Sequence, residues 1–402
     1  MASWQRTLWA IVVGQLLVSI GFSFVFPFMP LYVQELGVPD LRDATLWAAA
    51  LNSIQAVSLG LMAPIWGTIA DRRGRKPMLV RSLVGCGVFI GAMGFAQTPI
   101  HLLICRTLQG TVSGTIAAAS ALVAAISPRG QNGYSLGMVQ LSVWVGTAIG
   151  PVLGGIAAGA IGYRACFWLA GGLMIVAGIA TWLVVKEGPR PAATAAREKS
   201  AGRFGSLRAL GGAAPAVALI ALSELSFNAV QPVLALVAEQ ALAPGADTAL
   251  FIGVLFGATA LAASIGAVVL GKWSDRVGYR RVIVVCALAG VVLHVVQPLS
   301  YDPLVTIVLR TLAGFALGGL MSASNALLAV VTASSSVGLA YGVADMARCA
   351  GRVVGPVGAA LMATRIDVGV GFLFAAAILA AVAILAFASN SPDRAQAPAT
   401  AG

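Results

Sequence analysis

A polar stretch occurs twice in this 402-residue chain at almost fixed spacing. Gly67-Thr68-Ile69-Ala70-Asp71-Arg72-Arg73-Gly74-Arg75-Lys76 returns as Gly271-Lys272-Trp273-Ser274-Asp275-Arg276-Val277-Gly278-Tyr279-Arg280-Arg281, with 204 residues between Asp71 and Asp275. Arg106-Thr107-Leu108-Gln109-Gly110 returns 204 residues later as Arg310-Thr311-Leu312-Ala313-Gly314. Gly146, Gly150, Pro151, Gly154 and Gly155 have a counterpart 205 residues on, beginning at Gly351, Gly355 and Pro356. Three pairs in one register, at half the chain length, mean that two similar halves are joined.

The halves are built for lipid. Charged residues make up 10% of the chain and hydrophobic ones 59%, with mean hydropathy +0.93. Soluble domains carry about 25% charged residues; a water-soluble globule of this composition has nothing polar to cover itself with. Twelve apolar runs are long enough to span a bilayer: 7–34, 45–69, 77–97, 100–126, 133–159, 165–185, 212–238, 248–271, 280–299, 303–330, 338–364 and 368–389. Small residues at four-residue spacing, as in Gly146/Gly150/Gly154, let helices approach closely where the hydrophobic effect cannot drive their association. Six runs per half predict an all-α polytopic membrane protein. Its twelve helices form two six-helix bundles related by a pseudo-twofold axis along the membrane normal.

The organisation follows from loop charge. Basic residues cluster in alternate loops, which by the positive-inside rule puts both termini and the segment 186–211 in the cytoplasm. This predicts an N-terminal bundle over 1–185, a basic Ala/Pro/Gly-rich cytoplasmic linker over 186–211 lying against lipid headgroups, a C-terminal bundle over 212–390, and a disordered cytoplasmic tail over 391–402. The net charge of +11 is this loop bias. It forms no aromatic-interleaved patch for nucleic acid. Cys86, Cys105, Cys166, Cys286 and Cys349 are scattered through apolar runs, and His101 and His294 stand apart, so neither a metal site nor a cofactor is expected.

At this point the motifs resemble those of the major facilitator superfamily, in its twelve-span drug:proton antiporter branch. Gly67 to Lys76 looks like the superfamily's motif A, Arg106 to Gly110 like motif B, and Gly146 to Gly155 like the antiporter motif C. The runs Phe22 to Val33 and Trp66 to Arg81 are most similar to multidrug efflux pumps of the MdtG type from Gram-negative bacteria. The resemblance implies a bacterial inner-membrane transporter that works as a monomer. It also implies a cytoplasmic gate made by Gly67, Asp71, Arg72, Gly74, Arg75 and Lys76, with Asp275 and Arg276 as a weaker mirror, and a role for Arg106 in proton transfer.

The residues add their own readings. Charge at mid-membrane is costly, so it faces a partner or a cavity. Glu224 lies near the middle of the seventh run and is open to three roles: proton coupling, a structural partner for an arginine, or substrate contact. Asp345, Arg348 and Arg352 share one helical face by their spacing of three and four. The matching positions of the first half are Gln140, Val143 and Thr147. Either the three form an internal ion-pair network, or the arginines take an anionic or zwitterionic substrate and Asp345 is a second proton carrier. Arg310, alone, reads as a structural hydrogen bonder. Phe24, Phe28, Gln55, Asn228, Gln231 and Asn325 are candidates to line a cavity. The first run holds no acidic residue before Glu35, unlike several drug antiporters, which shifts proton coupling to Glu224 and Asp345.

No nucleotide-binding loop and no catalytic constellation is present in the sequence, so an ATP-driven pump and an enzyme are both disfavoured. The expected function is proton-coupled export of small amphipathic or anionic compounds by alternating access, with the proton as the coupling ion. A proton-coupled uptake symporter or a facilitator for a metabolite or lipid is the alternative, and a polytopic membrane enzyme a remote one.

Overall fold

The computed structural model describes residues 3–128, 131–185, 213–332 and 337–389. The expected linker 186–211 and tail 391–402 lie outside the described residues, as does Arg129. Every element within them is helical.

Proline shapes the first span of each half in the same way. Helix α1 (Ser3–Val25) stops before Pro27, and α2 (Met29–Glu35) resumes after it. In the second half, α8 (Ala214–Ala229) stops before Pro232, and α9 (Leu234–Ala241) follows. Proline has no N–H for the helical ladder and clashes with the preceding turn. The two prolines lie 205 residues apart, so the break belongs to the repeat. Pro27 therefore interrupts the first span, which runs on through α2 to Glu35.

Glycine sets the turns. Helices α3 (Leu41–Arg73) and α4 (Arg75–Met93) meet at Gly74, whose φ is +104°. Only glycine enters that region without steric cost. The fourth span is split into α5 (Pro99–Val112) and α6 (Thr115–Ile126) by Gly114, with φ +118°. Helix α7 (Asn132–Val184) carries the fifth and sixth spans, joined at a bend where Gly162 has φ +77°. In the second half α10 (Thr248–Val277) and α11 (Tyr279–Val296) meet at Gly278, φ +108°. Helices α12 (Pro303–Val331), α13 (Val337–Arg365) and α14 (Val368–Ala388) are the last helices among the described residues.

Among the described residues, nine helices are individually long and apolar enough to cross a membrane. The count reaches twelve because α7 holds two spans, α5 and α6 together make one, and α13 is made more polar by Asp345, Arg348 and Arg352. Large apolar side chains such as Leu61, Val176, Leu299 and Phe387 face outward, as lipid solvent permits.

The chain divides into two compact units, Met1–Phe204 with Gly245–Gly257, and Gly205–Pro244 with Ala258–Gly402. In the first, Phe28, Tyr32 and Phe167 are fully buried. The Tyr32 and Phe167 ring centroids lie 4.8 Å apart, and Phe28 and Tyr163 are 5.1 Å apart. The Tyr32 hydroxyl donates to the Met93 carbonyl at 2.8 Å. In the second unit the core runs through Leu219, Val282, Ile283, Leu320, Leu327 and Leu379.

Candidate functional site

Each unit packs its fifth-span helix onto its first-span helix through glycines, and this contact positions the charged residues. In the first unit α7 lies on α1. A Cβ at Gly146 would stand 2.6 Å from Ser19 Cβ and 2.9 Å from the Leu16 carbonyl oxygen, and one at Gly150 would stand 2.8 Å from the Ile20 carbonyl oxygen. At Gly154 it would fall 1.9 Å from the Phe24 carbonyl oxygen. Gly155 instead admits the start of α10, with the Ala249 carbonyl oxygen 2.7 Å from the Cβ position. Pro151 belongs to the same contact: its carbonyl oxygen is 2.4 Å from a Cβ built at Gly253. The glycines are there so that backbones can touch.

The second unit repeats this register. A Cβ at Gly351 would stand 2.9 Å from the Ala221 carbonyl oxygen and 3.2 Å from Glu224 Cβ, and one at Gly355 would stand 2.4 Å from the Leu225 carbonyl oxygen. The contact brings Arg352 of α13 beside Glu224 of α8. Arg352 Nε donates to Glu224 Oε1 at 2.7 Å. The Glu224 side chain is 4% exposed and that of Arg352 45%, so the pair has one end in the protein and one end towards the open. A buried carboxylate without a partner is strongly unfavourable, and Arg352 supplies the partner.

One turn away, Arg348 donates to the Asp345 carboxylate and to Asn325 Oδ1 of α12. Asp345 is 73% exposed at its side chain. A small cavity lies between the three helices, lined by Ile220, Ser223, Glu224, Met321, Ser324, Asn325 and Arg348. The Ser324 hydroxyl is buried and has no hydrogen-bond partner among the described residues. The structure thus brings together five of the expected site residues, Glu224, Asn325, Asp345, Arg348 and Arg352, and each arginine has its own acid. Asn228 joins them at the edge, donating from Nδ2 to the Glu224 backbone carbonyl at 2.8 Å.

Other expected positions lie elsewhere. Phe28 is fully buried in the aromatic cluster with Tyr163 and Phe167, and Phe24 is buried with its carbonyl against Gly154. Gln55 is half-buried on α3, with its carbonyl oxygen 2.6 Å from a Cβ built at Gly110. Gln231 sits in the break between α8 and α9 and is half-buried. Arg106 is buried in the first unit, its Nη1 donating to Gln109 Oε1 at 3.1 Å and its guanidinium 5.8 Å from the Phe22 ring centroid.

The motif between the second and third spans is anchored within each unit. Arg75 Nη1 donates to the Ala121 carbonyl at 2.7 Å, with Lys76 beside it on the first turn of α4. Gly67 lies in α3 with open space at its Cβ position, and the side chains of Asp71 and Arg72 lie outside the described residues. In the second copy the Tyr279 hydroxyl donates to Asp275 Oδ1 at 3.2 Å, Arg276 occupies the last turn of α10, and Arg280 Nε donates to the Ala386 carbonyl at 2.9 Å. Sequence reasoning missed Arg81, which lies 3.4 Å over the Trp66 ring. It also missed Ser223, Met321 and Ser324, neutral residues whose one available signal is their spacing to Glu224 and Asn325.

The profile of the Major Facilitator Superfamily matches residues 11–240 and again 216–402. The chain belongs to that superfamily. It is 30% identical over 363 residues to the Multidrug resistance protein MdtG of Yersinia enterocolitica, covering 90% of this chain and 88% of that one. The same named protein of Escherichia coli O17:K52:H18 is 30% identical over 372 residues, 92% and 90% of the two chains. Among solved structures, a bacterial homolog of the human lysosomal transporter Spinster, inward-facing and occupied, superposes with TM-score 0.78 at 15% identity over 98% of both chains. The human organic anion transporter MFSD10 (TETRAN) gives 0.69 at 15% identity, over 96% of this chain and all of that one. This superfamily member is a multi-pass membrane secondary transporter with a small-molecule substrate, and no enzyme.

Proposed function

We propose that this transporter exports small amphipathic compounds in exchange for protons, by alternating access, with Glu224 as the exchanging acid. One observation carries the reading: a carboxylate buried at the wall of a cavity is held by an arginine that is itself half open. The pair is favourable only while Glu224 is ionised. Protonation frees Arg352, and deprotonation takes it back. The relatives named for multidrug resistance support drugs as the cargo.

The sign of coupling depends on what the substrate touches. A substrate whose donor or cationic group displaces Arg352 from Glu224 competes with the proton, and competition at one acid yields exchange. A substrate whose acidic group takes Arg352 or Arg348 leaves Glu224 without its partner and favours its protonated form. That arrangement moves proton and substrate in the same step, as a symporter does. Asp345 is the second acid of the site, and Arg106 serves proton movement in the first unit.

In this reading Gly67, Asp71, Arg72, Gly74, Arg75 and Lys76, with Asp275 and Arg276, close the cytoplasmic side. The protein acts as a monomer in a bacterial inner membrane with both termini cytoplasmic, and its basic loops contact anionic lipid. The decisive test uses everted vesicles with an imposed pH gradient. Glu224→Gln is expected to keep fold and substrate binding and to lose gradient-driven export, by at least about tenfold for a general acid–base group. Undiminished export by this variant removes Glu224 from the mechanism.

A further inference from the structure

The second unit holds a polar cluster that the transport reading leaves unused. His294 and Gln297 lie three residues apart at the end of α11 and in the 3-10 turn after it, and Thr306 and Arg310 lie four apart on α12. All four are at most 3% exposed. Helix α11 packs against both α12 and α14, and the Phe372 ring of α14 stands 6.3 Å from the imidazole. Arg310 is near enough to act electrostatically on the His294 ring.

These side chains are short of partners. His294 Nδ1 is 2.8 Å from the Gly290 carbonyl. A carbonyl only accepts, so Nδ1 carries the hydrogen and Nε2 is left over. Among the described residues, His294 Nε2, Gln297 Nε2, the Thr306 hydroxyl, and Arg310 Nε and Nη1 have no hydrogen-bond partner. Among the described residues, no carboxylate acts on the imidazole or on the guanidinium there. Buried polar atoms are almost always satisfied, and a buried cation without a counter-charge is worse still.

The repeat shows that this polarity is specific to the second unit. At an offset of 204 residues, the counterparts of His294, Gln297 and Thr306 are Ile90, Met93 and Leu102, all fully buried, while the arginine is kept as Arg106. Hydrocarbon fills this place in one bundle. The other bundle keeps the arginine and places an imidazole, an amide and a hydroxyl at those three positions.

We propose that His294, Gln297, Thr306 and Arg310 form a binding site for a small inorganic anion of halide size, taken up together with a proton on His294. Guanidinium N–H, amide N–H and hydroxyl groups are donors, and an imidazole becomes one at Nε2 when protonated. Five buried donor groups without partners suit an anion. The anion also offsets the repulsion between Arg310 and an imidazolium; α14 brings the neutral Phe372 ring to the imidazole, its capping Asp367 carboxylate accepts from the Gly369 N–H, and Arg310 is the charged group acting on His294. The site does not depend on Glu224.

The test is thermal unfolding of the purified full-length protein in detergent. Chloride is titrated against gluconate at constant ionic strength, at about pH 5.5 and about pH 7.5, on either side of the ordinary imidazole range. The unfolding temperature is expected to rise with chloride as a specific ligand requires, with half-saturation at lower chloride in the acidic series. His294→Ile with Gln297→Met and Thr306→Leu, which installs the residues of the first unit, is expected to abolish the chloride response. Thr306→Val, a milder change, is expected to raise the half-saturating concentration about tenfold, the loss of one hydrogen bond to an ion. Equal unfolding in chloride and gluconate overturns the anion site, as does an unchanged chloride response in either variant. Equal responses at the two pH values overturn the coupled proton.

Discussion

The contact of α1 with α7 in the first unit and that of α8 with α13 in the second are two copies of one design carrying different chemistry. Gly146 and Gly150 meet the backbone at Leu16 and Ile20, and Gly351 and Gly355 meet it at Ala221 and Leu225, each partner 205 residues from its counterpart. At the centre, however, Ser19 and Thr147 stand where the second unit has Glu224 and Arg352. The Ser19 hydroxyl accepts from Gln15, and the Thr147 hydroxyl donates back to the Val143 carbonyl at 2.8 Å. The first pair of helices packs without an ion pair. The glycines hold the helices together, so the charges of the second unit are an addition to the scaffold.

The widest expected effect comes from splitting the added pair. Arg352→Met leaves the Glu224 carboxylate buried without its partner, which costs about 3–5 kcal/mol. The double variant Glu224→Ser with Arg352→Thr, which copies the first unit, is expected to recover most of that loss. A double-mutant cycle on thermal unfolding in detergent measures the difference. A double variant as unstable as Arg352→Met alone would show that the second contact does depend on its ion pair.

Next in size are the glycines themselves. Gly150→Val and Gly355→Val each place a side chain onto a carbonyl oxygen of the facing helix, and each is expected to destabilise by about 1–3 kcal/mol through overpacking. The comparison predicts similar losses for the two. Unfolding temperatures that differ by more than the error of repeated scans would mean that the two contacts are packed differently.

The smallest effect belongs to the exposed end of the site. Asp345→Asn breaks an ion pair whose acid is mostly in the open, worth at most about 1 kcal/mol. Its unfolding temperature should stay close to the parent's, while a substrate with an acidic group should bind more tightly once Arg348 is released. Isothermal titration with matched acidic and neutral ligands reads this out, and equal affinity changes for both would remove Arg348 from recognition.

Much of this was legible in the chain. Twelve spans follow from apolar run length, because a bilayer sets that length physically. The repeat follows from the paired motifs, and the positive φ at Gly74 from a glycine inside a charged turn. The common face of Asp345, Arg348 and Arg352 follows from helical spacing. The pairing of Arg348 with Asp345 was one of the readings that spacing offered, but the partner of Arg352 was not legible, since Glu224 lies 128 residues from it and periodicity carries no information across that distance. For the same reason, the aromatic run of the first span did not reveal that Phe28 packs on Tyr163 and Phe167. The break at Gly114 was hidden differently: its counterpart Gly318 lies within the unbroken α12, where a Cβ would meet the Ala263 carbonyl oxygen at 1.9 Å. The same residue type serves a turn in one place and a close approach in the other.

The sequence by itself determined the solvent, the number of spans and the duplication, because hydropathy and repeat spacing are properties of the chain read in order. Only the tertiary structure decided which acid meets which arginine and which polar side chains are left without partners. Those outcomes depend on how close two helices can come, and that distance is set by the glycines on both faces together.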